Sequence, residues 1–353
     1  MTLEEMLKSA VDKRASDIFL VVGQPVSFKI EGSIEKQEEA ILKPDIMEEI
    51  VNQLYGMGHR DTVFRKEGDD DFSISYAGVG RFRVNVFMQR GSWSAVLRVV
   101  SFALPPVETM GIPDSVLSLS QKKKGMVLVT GPAGSGKSTT LAYIIDQINR
   151  TRNCHILTLE DPIEFLHTHN QSIVSQREIG LDSVNYARAL RAALREAPDV
   201  ILIGEMRDLE TVEIAMTAAE TGHLVLSTLH TVGAANTIDR IIDVFPPDQQ
   251  QQIRIQLAMI LQSVVSQQLL TTDEGSLVPA FEIMHANKAI QTLIREGKVH
   301  QLNSTIATSA DEGMIGMDKS ILGLYEKGLI SEMTALSSCM NRESMERELK
   351  RKR

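Results

Sequence analysis

The feature that most constrains this chain is the stretch Gly131-Pro132-Ala133-Gly134-Ser135-Gly136-Lys137-Ser138-Thr139-Thr140. It fits the pattern G-x-x-x-x-G-K-[ST], a loop whose glycines let backbone N–H groups turn inward and cradle phosphate. In such a loop Lys137 reaches the β- and γ-phosphates, and the Ser138 hydroxyl ligates Mg²⁺. We therefore predict that residues 131–139 bind a nucleotide.

The segments on either side of this loop support the prediction. Residues 126–130 form a short apolar run, which predicts a buried strand, and residues 138–148 have the pattern of a helix. The amino end of that helix would point at the phosphates, where its dipole and free N–H groups favour an anion. A glycine-rich turn that matched the motif by chance would not be expected between a strand and a helix.

Composition excludes several classes of protein. The chain has 353 residues and a net charge of −9, which favours two or three domains and disfavours nucleic acid as the main partner. Its two cysteines, Cys154 and Cys339, provide neither a disulfide framework nor a zinc site and fit a reducing cytoplasm. No apolar run reaches the ~18 residues needed to cross a bilayer, and the acidic amino terminus lacks a signal-peptide core. We expect no direct membrane insertion, so any membrane association would come through a partner.

Changes in pattern predict an α/β chain in four parts: an α+β domain at 1–100, a linker at 101–114, a nucleotide-binding core at 115–270 and a helical region at 271–353. In the first part we predict strands at 17–22, 26–34 and 72–76, helices at 2–13 and 44–55, and a solvated loop at 69–71. In the core we predict parallel strands at 126–130, 155–159, 200–204 and 224–229 and helices at 138–149, 184–196, 209–221, 234–243 and 247–266. After residue 275 the sequence predicts short helices alone and a solvated, mobile tail at 350–353.

Two arginines stand out in the amino-terminal part. Residues 81–89 and 92–100 alternate between apolar and polar, and a turn at 90–91 predicts that they form a hairpin. In that register Arg83 lies directly opposite Arg98, and facing like charges cost stability unless an anion lies between them. The spacing leaves three interpretations open: an anion-binding pair, two solvated arginines, or a slipped register of the hairpin.

Carboxylates follow two of the predicted core strands. Glu205 closes the apolar run 200–204, where a nucleotidase needs an acidic group for Mg²⁺ or its water, although a surface glutamate at a strand end is the alternative. Residues 158–164 place Glu160, Asp161 and Glu164 after another strand, and strand carboxyl ends line the ligand crevice of such sheets. We predict Glu164 as the catalytic base and Glu160 as the second choice, while Asp161 before Pro162 also suits a turn.

Two histidines bracket the predicted strand 224–229. His230 follows the strand, where the γ-phosphate would be sensed, and His223 precedes it. Because the pair lies at opposite strand ends, the spacing is not that of a zinc site. We predict phosphate sensing for His230, with His223 as its companion, and assign neither residue to a metal.

Several segments together resemble one family. Residues 204–211 (GEMRDLET), 218–223 (AAETGH) and 228–231 (TLHT) are similar to the type II/IV secretion superfamily of ATPases, and within it to the type IV pilus retraction ATPases. Residues 160–165 resemble the acidic box of that family, 223–230 its histidine box, and 80–91 its arginine-bearing hairpin. The resemblance covers about residues 2–330.

The resemblance implies a homohexameric ring in which each subunit has a PAS-like α+β domain, a RecA-like P-loop core and carboxyl-terminal helices. It implies ATP and Mg²⁺ as cofactors, Glu164 as catalytic base and Glu205 as the metal-site carboxylate. Arg83 and Arg98 match the arginines that reach the nucleotide. The implied partners are an inner-membrane platform protein and, indirectly, pilin, with the ring at the cytoplasmic face of the membrane and no nucleic acid.

The sequence also departs from the family. Phe19 stands where histidine is common, and Gln291 and Thr292 replace the usual Arg and Asn of a motif at 289–296. Three functions stay open at this point: a pilus retraction motor or its accessory paralogue, a pilus assembly or secretion ATPase, and a nucleotide sensor that does not hydrolyse.

Overall fold

The structure, a computed structural model, describes residues 1–58, 68–100 and 104–352, except for the Lys352 side chain. It divides into two compact units: Met1–Ala103 with Glu164–Leu166, and Leu104–Ile163 with His167–Arg353. Residues 101–103 of the predicted linker and residue 353 of the predicted tail lie outside the described residues. The domain boundaries at 100, 114 and 270 stay predictions.

The first unit is an α+β fold. Its described elements are α1 Leu3–Asp12, β1 Asp17–Val21, β2 Pro25–Ile30, β3 Ser33–Ile41, α2 Pro44–Met57, β4 Asp69–Tyr76, β5 Gly80–Gln89 and β6 Ser92–Val100. Within the described part, the strands form one antiparallel sheet of six, in the order β3-β2-β1-β6-β5-β4. A capping box begins α1, with Thr2 and Glu5 exchanging hydrogen bonds of 2.8 and 3.2 Å.

One face of this sheet carries the hydrophobic core of the unit. Ile18, Phe28 and Leu97 are at most 1% exposed and pack in one cluster with residues of α1 and α2. Because strand side chains alternate between faces, Asp17 and Arg98 belong to the other, polar face.

Two predictions about this unit are wrong. The predicted strand 26–34 is two strands, because Glu31 and Gly32 have φ of 49° and 85° and turn the chain. The predicted solvated loop 69–71 is the start of β4, whose aspartates pair with residues 85–87 of β5. Asn85 Nδ2 donates to Asp71 Oδ1 at 3.2 Å, which helps a run of acidic side chains to join a strand.

The second unit is α/β. Its described helices and strands are α3 Asp114–Leu117, β7 Gly125–Thr130, α4 Lys137–Thr151, β8 His155–Glu160, β9 Ile173–Glu178, α5 Tyr186–Ala193, β10 Val200–Ile203, α6 Leu209–Glu220, β11 Leu224–Leu229, α7 Ala234–Asp243, α8 Gln250–Ile260, β12 Leu261–Thr271, β13 Leu277–His285, α9 Lys288–Arg295, α10 Leu302–Thr308, α11 Met317–Glu326, α12 Glu332–Ser338 and α13 Arg342–Lys352. Among the described residues, seven strands form one sheet in the order β13-β12-β7-β11-β10-β8-β9. All neighbours are parallel except the β12–β13 pair. The four predicted core strands are confirmed as β7, β8, β10 and β11.

The central strands are buried on both faces. Leu128 and Ile201 pack into one hydrophobic layer, and Val127 and Leu202 into the layer on the other side. Parallel strands covered on both faces are apolar throughout, which explains why these runs do not alternate in the sequence. Their carboxyl ends meet at one edge of the sheet, and this edge holds the candidate site.

Two predictions about the second unit are wrong. The predicted helix 247–266 ends at Ile260, and β12 begins at the next residue, because Val264 and Val265 lie fully buried in the sheet. The sequence predicts no strand after residue 275, but residues 277–285 form β13 and extend the sheet beyond residue 270. Residues 350–352 of the predicted tail continue α13; Lys350 and Arg351 are exposed, as predicted, and the mobility of the tail stays a prediction. Short apolar runs fit either a strand or a helix, so pairing partners decide between them.

Across residues 1–58, 68–100 and 104–352, no helix combines the length and the hydrophobicity needed to cross a membrane.

Candidate nucleotide-binding site

The glycine-rich loop connects β7 to α4, as the sequence predicts. Gly131, Gly134 and Gly136 have φ of 141°, 75° and 86°, a region that side-chain-bearing residues avoid. Gly136 is the residue before α4, so the loop ends at the amino end of a helix of 15 residues. The loop therefore has the backbone and the helix dipole that an anion site requires.

The polar groups inside the loop fit a phosphate. Lys137 is 8% exposed, and its Nζ donates to the carbonyl oxygens of Gly131 at 2.9 Å and Pro132 at 2.8 Å. The Ser135 hydroxyl is buried and has no hydrogen-bond partner in the described part of the chain. A buried hydroxyl without a partner costs free energy, and an oxyanion in the loop would supply one. The residues present therefore fit the nucleotide that the motif predicts.

Glu205 lies at the carboxyl end of the sheet. Its side chain is 13% exposed, and Arg207 Nη2 lies 2.6 Å from Glu205 Oε1 while His230 Nε2 lies 3.5 Å from Glu205 Oε2. The structure thus brings together two residues that the sequence selected, Glu205 after β10 and His230 after β11. Their roles in metal binding and phosphate sensing stay predictions.

Glu160 lies at the end of β8 and is held by its neighbours. Its Oε1 accepts hydrogen bonds from Thr158 Oγ1 at 2.6 Å and from Gln176 Nε2 at 3.2 Å. Two donors on one carboxylate oxygen fix the side chain in place. Its catalytic role stays a prediction.

Tyr186, at the start of α5, joins these acidic groups. Burial raises the pKa of its hydroxyl well above the usual range, and the charges of Asp161, Glu205 and Glu160 raise the pKa further. The hydroxyl lies 2.8 Å from the position that a Cβ on Gly204 would occupy. The sequence analysis missed this residue, whose only signal was an aromatic side chain opening a predicted helix.

Glu164 is exposed, and the segment Glu164–Leu166 groups with the first unit rather than with the unit that carries the loop. Glu164 therefore belongs to a different unit from Glu160 and Glu205. The assignment of Glu164 as catalytic base stays a prediction.

His223 lies at the opposite edge of the sheet from the loop. Its Nδ1 is 2.9 Å from the Ala218 carbonyl oxygen and 3.3 Å from Thr221 Oγ1, so the ring closes the carboxyl end of α6. All six residues of β11 separate it from His230. The phosphate-sensing role of His223 stays a prediction, and His223 lies at the strand end away from the loop of its own chain.

The predicted hairpin register in the first unit is confirmed, since Arg83 pairs with Arg98. Asp17 on β1 lies on the far side of Arg98, and Arg98 Nε is 3.1 Å from Asp17 Oδ1. The chain itself thus supplies an anion beside Arg98. Arg83 is exposed and makes no hydrogen bond or ion pair with the described residues, so a ligand would displace no partner there. Nucleotide binding by the two arginines stays a prediction.

Comparison with known proteins identifies the family of the chain. The family model "Type II/IV secretion system protein" matches residues 1–277. The type IV pilus retraction ATPase PilT of Pseudomonas aeruginosa is 44% identical over 95% of this chain and 97% of its own length. The type IV pilus ATPase PilU of the same organism is 38% identical over 96% of this chain and 88% of its own.

A solved structure is similar over nearly the full length. The crystal structure of the pilus retraction motor PilT with bound ADP has a TM-score of 0.88 and 46% identity, and the match covers 98% of this chain and 99% of that one. The predicted fold class, a RecA-like P-loop core with a smaller α+β domain and carboxyl-terminal helices, agrees with this likeness.

Proposed function

Because the chain belongs to the type II/IV secretion system protein family, we propose that it is an ATP-hydrolysing motor that drives the retraction of type IV pili. The observation that carries the proposal is its likeness, over almost the whole of both chains, to a retraction ATPase and to that motor's ADP-bound structure. The phosphate loop and the acidic sheet edge supply the chemistry such a motor needs.

ATP would supply the phosphoryl group to be transferred, and Mg²⁺ would neutralise charge that develops on it. Lys137 would exchange its two loop carbonyl oxygens for phosphate oxygens, and Ser138, half-buried in the first turn of α4, would offer its hydroxyl to the metal. Glu205 would accept hydrogen bonds from water at the metal, and Glu164 would take the proton of the attacking water.

The remaining groups would hold the site together. Glu160 is fixed by Thr158 and would orient water at the sheet edge. His230, 3.5 Å from Glu205, would report the presence of the terminal phosphate. Arg83 and Arg98 would add positive charge from the amino-terminal unit.

We further propose that the chain works as a homohexamer at the cytoplasmic face of the inner membrane. Its contact with the membrane would come through the pilus platform protein, and through that protein it would act on pilin.

A second candidate is an accessory retraction ATPase. The similarity to PilU covers nearly the full chain, and Gln291 and Thr292 depart from the retraction motif. In the structure Thr292 makes local helix contacts: its Oγ1 donates to the Lys288 carbonyl oxygen at 2.9 Å, and Arg295 Nη2 donates to Thr292 Oγ1 at 3.2 Å. An accessory role leaves the ATPase site unchanged and alters only the coupling to retraction.

The first test is the ATP turnover of the purified chain. Lys137→Ala and Glu205→Gln should each lower the turnover rate at least a hundredfold, because each removes a charge that the transition state needs. Lys124→Ala, at an exposed lysine before β7, is the matched control and should keep the wild-type rate. Binding without turnover in the wild type would favour the nucleotide sensor, and unchanged rates in both site variants would refute the site.

The second test is deletion in the source organism. A retraction motor predicts more surface pili and lost twitching, and an assembly ATPase predicts cells without pili. An accessory ATPase predicts pili that still retract, with reduced force. Counting pili and measuring retraction under load separates the three.

A further inference from the structure

We propose that Gln267 on β12 is a positioning residue of the phosphate loop, which holds the loop in its phosphate-binding conformation. The inference rests on the proposed function, because it assigns a role in the same nucleotide site. Gln267 lies 128 residues beyond Thr139 in the chain, and no part of the loop motif includes it.

The register of the sheet brings Gln267 to the loop. β12 pairs in parallel with β7, and Ser266 lies opposite Thr130, the last residue before the loop. The next residue of β12 therefore lies beside Gly131, the first residue of the loop. The Gln267 carbonyl oxygen is 2.1 Å from the position that a Cβ on Gly131 would occupy. The strand backbone and the loop backbone are thus in direct contact at the start of the loop.

The side chain of Gln267 reaches the other end of the loop. Its Nε2 lies 2.8 Å from the position of a Cβ on Gly136, the last glycine. Its Oε1 accepts a hydrogen bond of 2.7 Å from Thr140 Oγ1 in the first turn of α4. One residue therefore contacts the beginning of the loop, its end, and the helix that follows.

The side chains of Gln267 and Thr140 are both buried. Gln267 and Thr140 are 3% and 1% exposed, so each polar side chain has lost its water. Such groups cost free energy unless they are paired, and each is the other's side-chain partner. An apolar side chain at position 267 would fill the space at lower cost, as Val264 and Val265 do nearby. A glutamine here is explained if its hydrogen bond fixes the loop against α4.

The loop needs such support because its own conformation is unfavourable. Three of its glycines have positive φ, and the loop crosses from a strand to a helix without a backbone ladder. A site that is held in shape before the ligand arrives spends less binding energy on ordering itself. Loss of the Gln267–Thr140 hydrogen bond should therefore weaken phosphate binding and misplace Lys137.

The experiment measures the Kd for ADP, by isothermal titration in the presence of Mg²⁺, and the kcat and KM for ATP. Gln267→Met keeps the volume and removes the acceptor, and it should raise the Kd about tenfold, because binding must then order a loop that is no longer fixed to α4. Thr140→Val removes the donor and should have a similar effect, whereas Thr140→Ser keeps the hydroxyl and should restore most of the affinity. The double variant Gln267→Met/Thr140→Val should bind no more weakly than the worse single variant, since both remove the same interaction.

Gln268→Met is the matched control. Gln268 is the next residue of β12, is half-buried, and points to the opposite face of the sheet. Its replacement should leave the Kd and KM at wild-type values. The unfolding temperature of each variant, measured without nucleotide, identifies a general loss of stability. Such a loss would lower the unfolding temperature, and Thr140→Ser would not rescue it selectively.

Wild-type affinity in Gln267→Met and Thr140→Val would overturn this inference and leave the proposed function intact. If Gln267→Met failed to fold, the Thr140→Val and Thr140→Ser pair would decide, because equal affinities in that pair also overturn it. A wild-type chain that did not bind ADP would overturn the proposed function together with the inference.

Discussion

Two glycines of the phosphate loop offer a test of the geometry that does not depend on any ligand. Gly131 has φ of 141°, and a Cβ there would lie 2.1 Å from the Gln267 carbonyl oxygen and 2.7 Å from Ser135 Oγ. Gly134 has φ of 75°, and a Cβ there would meet nothing within 4 Å. Alanine at either position strains the backbone, but only Gly131→Ala also drives an atom into the backbone of β12.

The expected magnitudes follow from these two effects. Backbone strain alone costs about 1–2 kcal/mol for Gly134→Ala. Gly131→Ala adds to a similar strain the cost of overpacking, about 1–3 kcal/mol, and the contacting atom belongs to a sheet that cannot move freely. At about 2–4 °C per kcal/mol for a unit of this size, Gly131→Ala should lower the unfolding temperature by roughly 10 °C and Gly134→Ala by roughly 4 °C.

The assay is thermal unfolding of both variants without nucleotide, followed by circular dichroism. Equal losses in the two variants would refute the close approach of β12 to the loop. A Gly131→Ala variant as stable as the wild type would refute the loop conformation itself.

Three further predictions test other parts of the chain. Arg98→Ala should lower the free energy of unfolding by about 1 kcal/mol, because the exposed Arg98 forms one ion pair and its partner Asp17 is buried. Arg83→Ala should cause no measurable loss, because Arg83 has no partner among the described residues. A loss of turnover in either variant would then report nucleotide contact. Gly204→Ala should destabilise the chain by about 1–3 kcal/mol, because the Tyr186 hydroxyl is the nearest atom to the new methyl group. Adding Tyr186→Phe to this variant should recover part of the lost stability. Additive losses in the double variant would contradict this packing. Burial lowers the pKa of His167, so the neutral ring is favoured in the folded state. The contribution of the neutral ring to the free energy of unfolding should be complete above the unfolded-state pKa of about 6.5, and it should be lost as the pH falls towards the folded-state pKa. His167→Gln should flatten that part of the stability curve measured by denaturant unfolding, and an unchanged slope would contradict the assignment.

Much of the site was predictable because its signals are local. The phosphate loop needs glycines at fixed positions and a lysine at its end, and these requirements are met within a few consecutive residues. The pairing of Arg83 with Arg98 was predictable for the same reason, since a tight turn fixes the register of both its strands.

The acidic edge was predictable only as a set of strand ends. The sequence placed Glu205 and His230 after two strands, and the parallel order of the sheet brought them to 3.5 Å. It also selected His223, which the strand direction puts at the opposite edge of the same sheet.

The sequence by itself determined the chemistry of this chain, a phosphate loop with carboxylates that follow buried strands, because each of those signals is held in a short stretch. The tertiary structure alone decided that residues 261–271 are a strand beneath the loop and that Gln267 is buried against Thr140. An apolar run has no preference strong enough to choose between helix and strand until a neighbouring strand offers its hydrogen bonds. The loop is therefore supported by contacts between residues more than a hundred positions apart, and no local sequence pattern predicts such contacts.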